Sequence, residues 1–370
     1  MAGIYYHIPF CKRICSYCDF YRTAQISRLP QLIEAMCREI EQRHDYLRGE
    51  PIRTRYFGGG TPSLCTIEQL KSLLDTTARH FDCTELEEST LEANPDDLNP
   101  QYLNDLRTIG IDRLSIGIQS FDDGCLRLMN RRHTAAQAIR AVKDAQAAGF
   151  DNLTIDLIFG VPGYGGAAWE RSIDQALELG VQHISAYLLT IEPRTRFGVM
   201  AAKGELTEVA DTVCEEEFMR LHERLSEAGF DHYEISNYAL PGYRARHNGN
   251  YWQGVPYLGI GPAAHSYDGD SRQWNVASVE GYIKGQSPEQ EKLTTRNRID
   301  EYIMTRLRTV EGLSLSDFEA RFGSGERKRL EADARQEMAA ERLIQTDERL
   351  SIPIEHLLVS DSIISSLFAD

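Results

Sequence analysis

The sequence predicts an α/β fold in which a parallel sheet closes into a barrel or part of one, with a small, mainly helical domain after it. Three observations carry that expectation. Short β-branched or aromatic runs alternate with longer amphipathic stretches from the N-terminus to about residue 235. Several of those stretches close on glycine, at Gly110, Gly149, Gly180 and Gly229, where a helix stop is expected. Glycine or polar residues recur at the strand ends, where βα loops open toward one shared mouth.

Taken in order, residues 3–7 form an apolar strand that runs straight into three cysteines, and residues 30–44 show apolar positions at helical spacing. Residues 54–57 read as a strand leading into a glycine loop, followed by a helix-like stretch at 67–81. The pattern repeats with strands at 89–92, 113–118, 152–159, 183–188 and 231–235. Helices are expected at 100–109, 134–148, 169–179 and 214–229. The barrel is therefore assigned to residues 1–236. Residues 237–290 are rich in aromatics and turn formers, and read as packed irregular structure covering a pocket. Helical spacing returns over 291–370, with a hairpin signal near 343–352, which suggests a winged-helix-like domain. Its 12 basic against 16 acidic residues favour a structural or protein-docking role over DNA reading.

A chain of 370 residues with 42% hydrophobic content can bury a large core, and two domains are expected. The formal charge of -16 opposes non-specific attachment to nucleic acid or anionic lipid. No stretch approaches the ~18 apolar residues of a membrane span, and the first residues lack a leader pattern, so a cytoplasmic protein is expected. Cys37, Cys65, Cys83, Cys125 and Cys214 are scattered singly, as packing cysteines are.

Cys11, Cys15 and Cys18 are different: they stand as C-x3-C-x2-C in one loop after the first strand. Three thiolates suit a [4Fe-4S] cluster whose fourth iron, lacking a protein ligand, can chelate the amino and carboxylate groups of S-adenosylmethionine (SAM). Zinc also binds grouped cysteines, though normally with a second pair nearby, and a disulfide would strand one thiol.

The other rim candidates follow from their places. Gly58-Gly59-Gly60-Thr61-Pro62 exposes backbone at a strand end, either as a tight turn or as a cradle whose carbonyls hold the ammonium of SAM. Glu92 ends a strand, where an inward carboxylate needs a cation or sugar hydroxyls; an exposed helix-start acid is the alternative. Gln119 and Asp156 sit at comparable points, Asp156 being flanked by apolar residues. Arg131 could pair a carboxylate or simply be solvated beside Arg132. His247, with Tyr251 and Trp252 close behind, could ligate the iron of a macrocycle that stacks on those rings, or be an ordinary hydrogen-bonded histidine.

The cysteine loop, Gly58-Gly59-Gly60-Thr61-Pro62-Ser63, Leu91-Glu92-Ala93-Asn94-Pro95, Ile116-Gly117-Ile118-Gln119-Ser120-Phe121 and Ile155-Asp156-Leu157-Ile158-Phe159-Gly160, in that order, resemble the radical SAM family. The nearer likeness is to the branch holding oxygen-independent coproporphyrinogen III dehydrogenase and the HemW heme chaperones. The resemblance implies a partial (β/α)6 TIM-like barrel, a [4Fe-4S] cluster on Cys11, Cys15 and Cys18, and SAM contacts from Tyr5, Gly59, Gly60, Thr61 and Glu92. Gln119, Arg131 and Asp156 match residues lining a SAM pocket, some of which serve a second SAM in the dehydrogenase. That enzyme resembles C-x3-C-x2-C-x-C, whereas Phe20 stands at the fourth position here. Residues His247 to Trp252 match the HNxxYW pattern of the chaperones, where the histidine is implicated in heme binding. The resemblance thus implies heme as cargo, passed to acceptor hemoproteins, membrane-associated ones among the options. A homodimer and peripheral location at the inner face of the membrane are open expectations. Porphyrinogen decarboxylation is the alternative activity, and RNA modification is disfavoured by acidity and the lack of a basic module.

Overall fold

The computed structural model describes residues 1–369. Six parallel strands lie side by side in chain order: β1 (Ala2–Ile8), β2 (Ile52–Gly59), β3 (Glu88–Ala93), β4 (Arg113–Gln119), β5 (Leu153–Phe159) and β6 (His183–Leu188). The connecting helices are α1 (Leu29–Gln42), α2 (Ile67–His80), α3 (Pro100–Thr108), α4 (Asp123–Leu128), α5 (Ala135–Ala147) and α6 (Ala167–Glu178). Their ends are set locally. Thr66 with Gln69 and Thr134 with Gln137 form capping boxes on α2 and α5, satisfying amides the helix itself leaves open. The four expected glycine stops all adopt left-handed backbone, which ends α3, α5, α6 and a later helix over Asp211–Glu227.

Alternation along each strand divides core from site. On β1, Ile4, Tyr6 and Ile8 are fully buried, and the Tyr6 hydroxyl meets Thr77 of α2 at 2.6 Å. Tyr5 and His7 point to the other face. Tyr56, Thr90, Glu92, Arg113, Ser115 and Asp156, from β2 to β5, line one small interior cavity with Tyr187 of β6. Side chains from five adjacent strands converge in that way only if the sheet curls, so the inner face is concave and polar. Among the described residues neither end strand of the sheet has a second neighbour, and the barrel is therefore partial.

After β6 come α7 (Arg196–Ala202), α8 (Asp211–Glu227), β7 (Asp231–Glu234) and β8 (Asn237–Ala239), the last pairing antiparallel with β6. Residues 237–290 depart from the expected irregular cover. They form α9 (Arg246–Gln253), β9 (Tyr257–Ile260), β10 (His265–Tyr267), β11 (Ser271–Trp274), α10 (Val279–Ile283) and β12 (Glu289–Lys292). β9 lies parallel to β1, and β10 to β12 extend that edge. Leu258 and Ile260 are fully buried, and that burial fixes a strand too short for a periodicity signal. Glu39 of α1 ties the extension down: it accepts from Gly261 N (3.0 Å), Asn275 Nδ2 (2.8 Å), Arg43 Nη1 (2.9 Å) and the Tyr282 hydroxyl.

The C-terminal part comprises α11 (Thr295–Leu307), α12 (Leu315–Phe322), α13 (Ser324–Ala339) and α14 (Ser360–Ser365). A small antiparallel sheet of β13 (Leu313–Ser314), β14 (Ile344–Thr346) and β15 (Arg349–Ser351) completes it. Four helices and a hairpin wing make this part mainly helical, as expected. Among the described residues, no helix is long and apolar enough to cross a membrane.

Candidate functional site

A cavity of about 470 Å³ opens where β1 to β6 end. Cys11, Cys15 and Cys18 line it together with Gly59, Gly60, Thr61, Glu92, Gln119, Arg131 and Asp156. The sequence scatters these groups over some 150 positions; parallel strands in register bring them to one rim.

Each thiol has a defined setting. Thr61 Oγ1 donates to Cys11 Sγ at 3.6 Å, and Arg131 Nη1 donates to Cys15 Sγ at 3.2 Å. Burial raises the pKa of Cys11 and of Cys18, so without bound metal those two are neutral thiols. Among the described residues, no three Cys, His, Asp or Glu side chains close on one point as a single ion requires. Thiols spread around a cavity rim suit a multi-iron cluster, in which each sulfur binds a different iron. Three thiols of one loop are a donor set that fits a [4Fe-4S] group.

Arg131 braces the rim. Besides Cys15 it donates to Asn94 Oδ1 (2.6 Å) and to the Gly117 carbonyl (2.5 Å), linking the cysteine loop to the ends of β3 and β4. Arg132, not Arg131, is the one paired with carboxylates, its largely buried guanidinium lying 2.9 Å from Asp97 and 3.0 Å from Asp96. Gln119 is held at φ 71°, where the β4–β5 register shifts, a conformation uncommon for non-glycine residues. Gly59 has φ 109°, and a Cβ there would fall 2.6 Å from the His7 ring, so only glycine lets the loop pass.

Glu92 lies inside rather than at an exposed helix start. Its carboxylate accepts from the Tyr56 hydroxyl (2.8 Å) and Gly59 N (3.1 Å), and burial pushes its pKa up to about 7. Burial likewise raises Asp156, which Ser115 Oγ contacts at 3.2 Å. Carboxyl groups poised this way ionise readily once a cationic ligand arrives.

Two expected residues are not on the rim. Tyr5 does not line the cavity; its hydroxyl meets His7 Nδ1 at 3.0 Å. His247 is buried at the opposite end of the strands, stacked on Tyr56 at 5.2 Å. Its Nδ1 meets Thr54 Oγ1 at 2.9 Å and its Nε2 meets the Tyr251 hydroxyl at 2.9 Å. Burial lowers its pKa to about 3, so the ring is neutral. With both nitrogens engaged, His247 in this arrangement offers no free donor to an iron. Sequence reasoning also overlooked Tyr17, Asn94, Ser115 and Tyr187, all of which line the cavity. Alternation along β4 could have found Ser115, two residues before Gly117. Tyr17 and Tyr187 carried no signal.

Known proteins share this layout. Residues 5–176 match the model of the radical SAM superfamily, and residues 293–355 match that of the HemN C-terminal domain. Proteins named heme chaperone HemW from Lactococcus lactis (35% identical, over 86% of this chain and 84% of theirs) and Mycobacterium tuberculosis (35%, 99% and 94%) are among the relatives. The Escherichia coli protein of that name is 33% identical over 87% of this chain and 86% of its own. The solved structure of coproporphyrinogen III oxidase (HemN) from Escherichia coli superposes with a TM-score of 0.86, at 21% identity, over 100% of this chain and 90% of that one. This last likeness concerns the fold. Sequence identity over most of the length, together with the cysteine rim and the partial barrel, places the chain in the HemW heme chaperone family of the radical SAM superfamily.

Proposed function

We propose that this protein is a cytoplasmic heme chaperone that carries a [4Fe-4S] cluster and SAM in the upper cavity, binds heme, and delivers it to acceptor hemoproteins. The observation that supports it most is the rim itself: three cysteines of one loop facing a glycine cradle and a buried carboxylate, in a chain of the HemW family. Cys11, Cys15 and Cys18 would hold the cluster, which when bound supplies an iron able to chelate SAM and an electron for its cleavage.

The chain's own groups do the rest. Backbone at Gly59 and Gly60 accepts the SAM ammonium, and Thr61 orients Cys11. Glu92 holds the glycine loop by accepting the Gly59 amide, and its charge attracts a cationic ligand. Gln119, Arg131 and Asp156 form the far wall, with Arg131 fixing Cys15. Tyr5, one layer below, supports the rim through His7. Phe20, 72% exposed on the cavity rim, stands where the dehydrogenase pattern has a fourth thiol, which favours carriage of heme over porphyrinogen decarboxylation.

The test is anaerobic. Reconstituted protein is titrated with hemin and mixed with an apo-hemoprotein, while a parallel sample receives coproporphyrinogen III, reductant and SAM. Stoichiometric hemin binding and transfer without decarboxylation is the expected result. Catalytic formation of protoporphyrinogen IX, or failure of hemin to bind, would overturn the reading.

A further inference from the structure

The small interior cavity beneath the rim, of about 50 Å³, has walls of two kinds. Its roof holds acceptors, the carboxyl groups of Glu92 and Asp156, which also line the larger cavity above. Its floor holds donors, Arg113 at the start of β4 and His183 at the start of β6. Arg113 is 2% exposed. It donates to Asn152 Oδ1, to Thr154 Oγ1 (2.5 Å) and to the Tyr243 carbonyl (3.4 Å), and it has no carboxylate partner among the described residues. An interior guanidinium is costly without a counter-charge. Here it faces two inward-pointing carboxyl groups across a gap too wide for an ion pair.

Two polar atoms of the cavity wall lack a protein partner. Thr90 is fully buried on β3, and its Oγ1 bonds to no other group of the chain. His183 Nδ1 is the second, on a ring that is 1% exposed. The Ala245 amide donates to the Tyr233 oxygen (3.3 Å), which directs the Tyr233 hydroxyl proton at His183 Nε2 (2.7 Å). That pattern assigns the ring proton to Nδ1, a donor in the cavity wall. Burial, and after it the charge of Arg113, keeps the ring neutral. Water offers donors to the roof and acceptors to the floor, and at ~10–15 Å³ of space for each centre the cavity has room for roughly three or four molecules.

We propose that this cavity is a built water site whose internal waters bridge Asp156 to Arg113 and His183, and that Arg113 is the counter-charge that lets Asp156 ionise when a cationic ligand enters the cavity above. Thr90 Oγ1 and His183 Nδ1 then gain the partners they lack, as buried polar groups require. Arg113 is a positioning residue: it lines the inner cavity and not the upper one, and acts on Asp156 through the waters. Burial raises Asp156, and two cations oppose it, Arg131 from the rim and Arg113 from the floor, together with the Ser115 and Ser185 hydroxyls. Arg131 is already committed to Cys15, Asn94 and Gly117. Glu92 on β3 is the like charge facing Asp156, while Tyr56 and Tyr187 stay neutral because burial raises both phenols. Inside a barrel, where screening is weak, a bridged guanidinium stabilises the carboxylate over this gap.

The test uses the cluster-free full chain without SAM, so its failure leaves the proposed function standing. Thr90→Val keeps the side-chain shape and removes the hydroxyl. In a wet cavity this strands a water and should lower the folding equilibrium constant roughly fivefold in urea unfolding, whereas in a dry one it removes an unpaired group and raises that constant. Ionisation of Asp156 is read by infrared difference spectra of protein carrying isotope-labelled aspartate, with Asp156→Asn identifying the band. Arg113→Gln keeps an amide donor for Thr154 but loses the charge, and should raise the Asp156 midpoint by about one pH unit. Arg113→Lys restores the charge and should bring the midpoint back toward wild type, which a purely structural role of Arg113 does not predict. A higher stability of Thr90→Val, or the same Asp156 midpoint in Arg113→Gln and wild type, would overturn the assignment. If Arg113→Gln does not fold, the sign of the Thr90→Val effect still decides whether the cavity holds water.

Discussion

Replacing Glu92 by glutamine should stabilise the cluster-free protein above neutral pH and, in the same step, weaken SAM binding. In the folded state burial pushes the Glu92 pKa from 4.5 to about 7. The folded state therefore binds this proton more tightly than the unfolded state does, and stability falls as pH rises from the unfolded value through the folded one. At pH 8 nearly the full shift is felt. A displacement of about 2.5 units, at 1.36 kcal/mol each, amounts to roughly 3 kcal/mol of ionisation penalty. Glutamine carries no such penalty, although its amide can turn only one acceptor to the Tyr56 hydroxyl and the Gly59 amide, which costs about 1 kcal/mol. The net expectation is a gain of about 2 kcal/mol at pH 8 and a loss of about 1 kcal/mol at pH 4. Urea unfolding of both proteins across that range gives the difference directly, and titrations shared by the two cancel. SAM affinity of the reconstituted variant should fall, because the carboxylate that attracts the ligand is gone. A stability difference independent of pH, within 0.5 kcal/mol, would refute the claim that Glu92 is buried at a cost retained for the ligand.

Three further outcomes are expected. Serine at Cys11, Cys15 or Cys18 should each reduce reconstituted iron to near zero, whereas Cys65→Ser, at a buried packing position, should retain it; iron analysis decides. Arg131→Met leaves Asn94 Oδ1 and the Gly117 carbonyl without their donor and should cost on the order of 3 kcal/mol in the cluster-free protein; an unchanged melting temperature would show that the rim does not depend on this brace. Glu39→Ala leaves Arg43 without its carboxylate and the Gly261 amide without its acceptor, and should cost ~3–5 kcal/mol, with hydrogen exchange rising first in β9 to β12; protection equal to wild type there would contradict the anchoring role of α1.

The order of strands and helices, and the rim they carry, were legible in the sequence because both depend on local signals. Apolar periodicity marks each βα unit, glycine marks the helix stops, and a residue at the end of a parallel strand faces the mouth whichever strand it belongs to. Cys11, Gly59, Glu92, Gln119 and Asp156 line the cavity at that mouth. Arg131 was ambiguous beside Arg132, since two adjacent arginines look alike until one is seen inside bonded to Cys15 and the other at Asp97.

What only the tertiary structure decided lies after residue 236. β9 is four residues long, and its partner β1 begins 255 positions earlier, so no local pattern could announce a parallel pairing that exists through burial of Leu258 and Ile260. The same return path carries α9 beneath the barrel. There it turns His247 inward against Thr54 and Tyr56, with the Tyr251 hydroxyl 2.9 Å from its Nε2. Sequence spacing put the two side chains on one helix face; the barrel floor against which that face packs turned the imidazole into the interior.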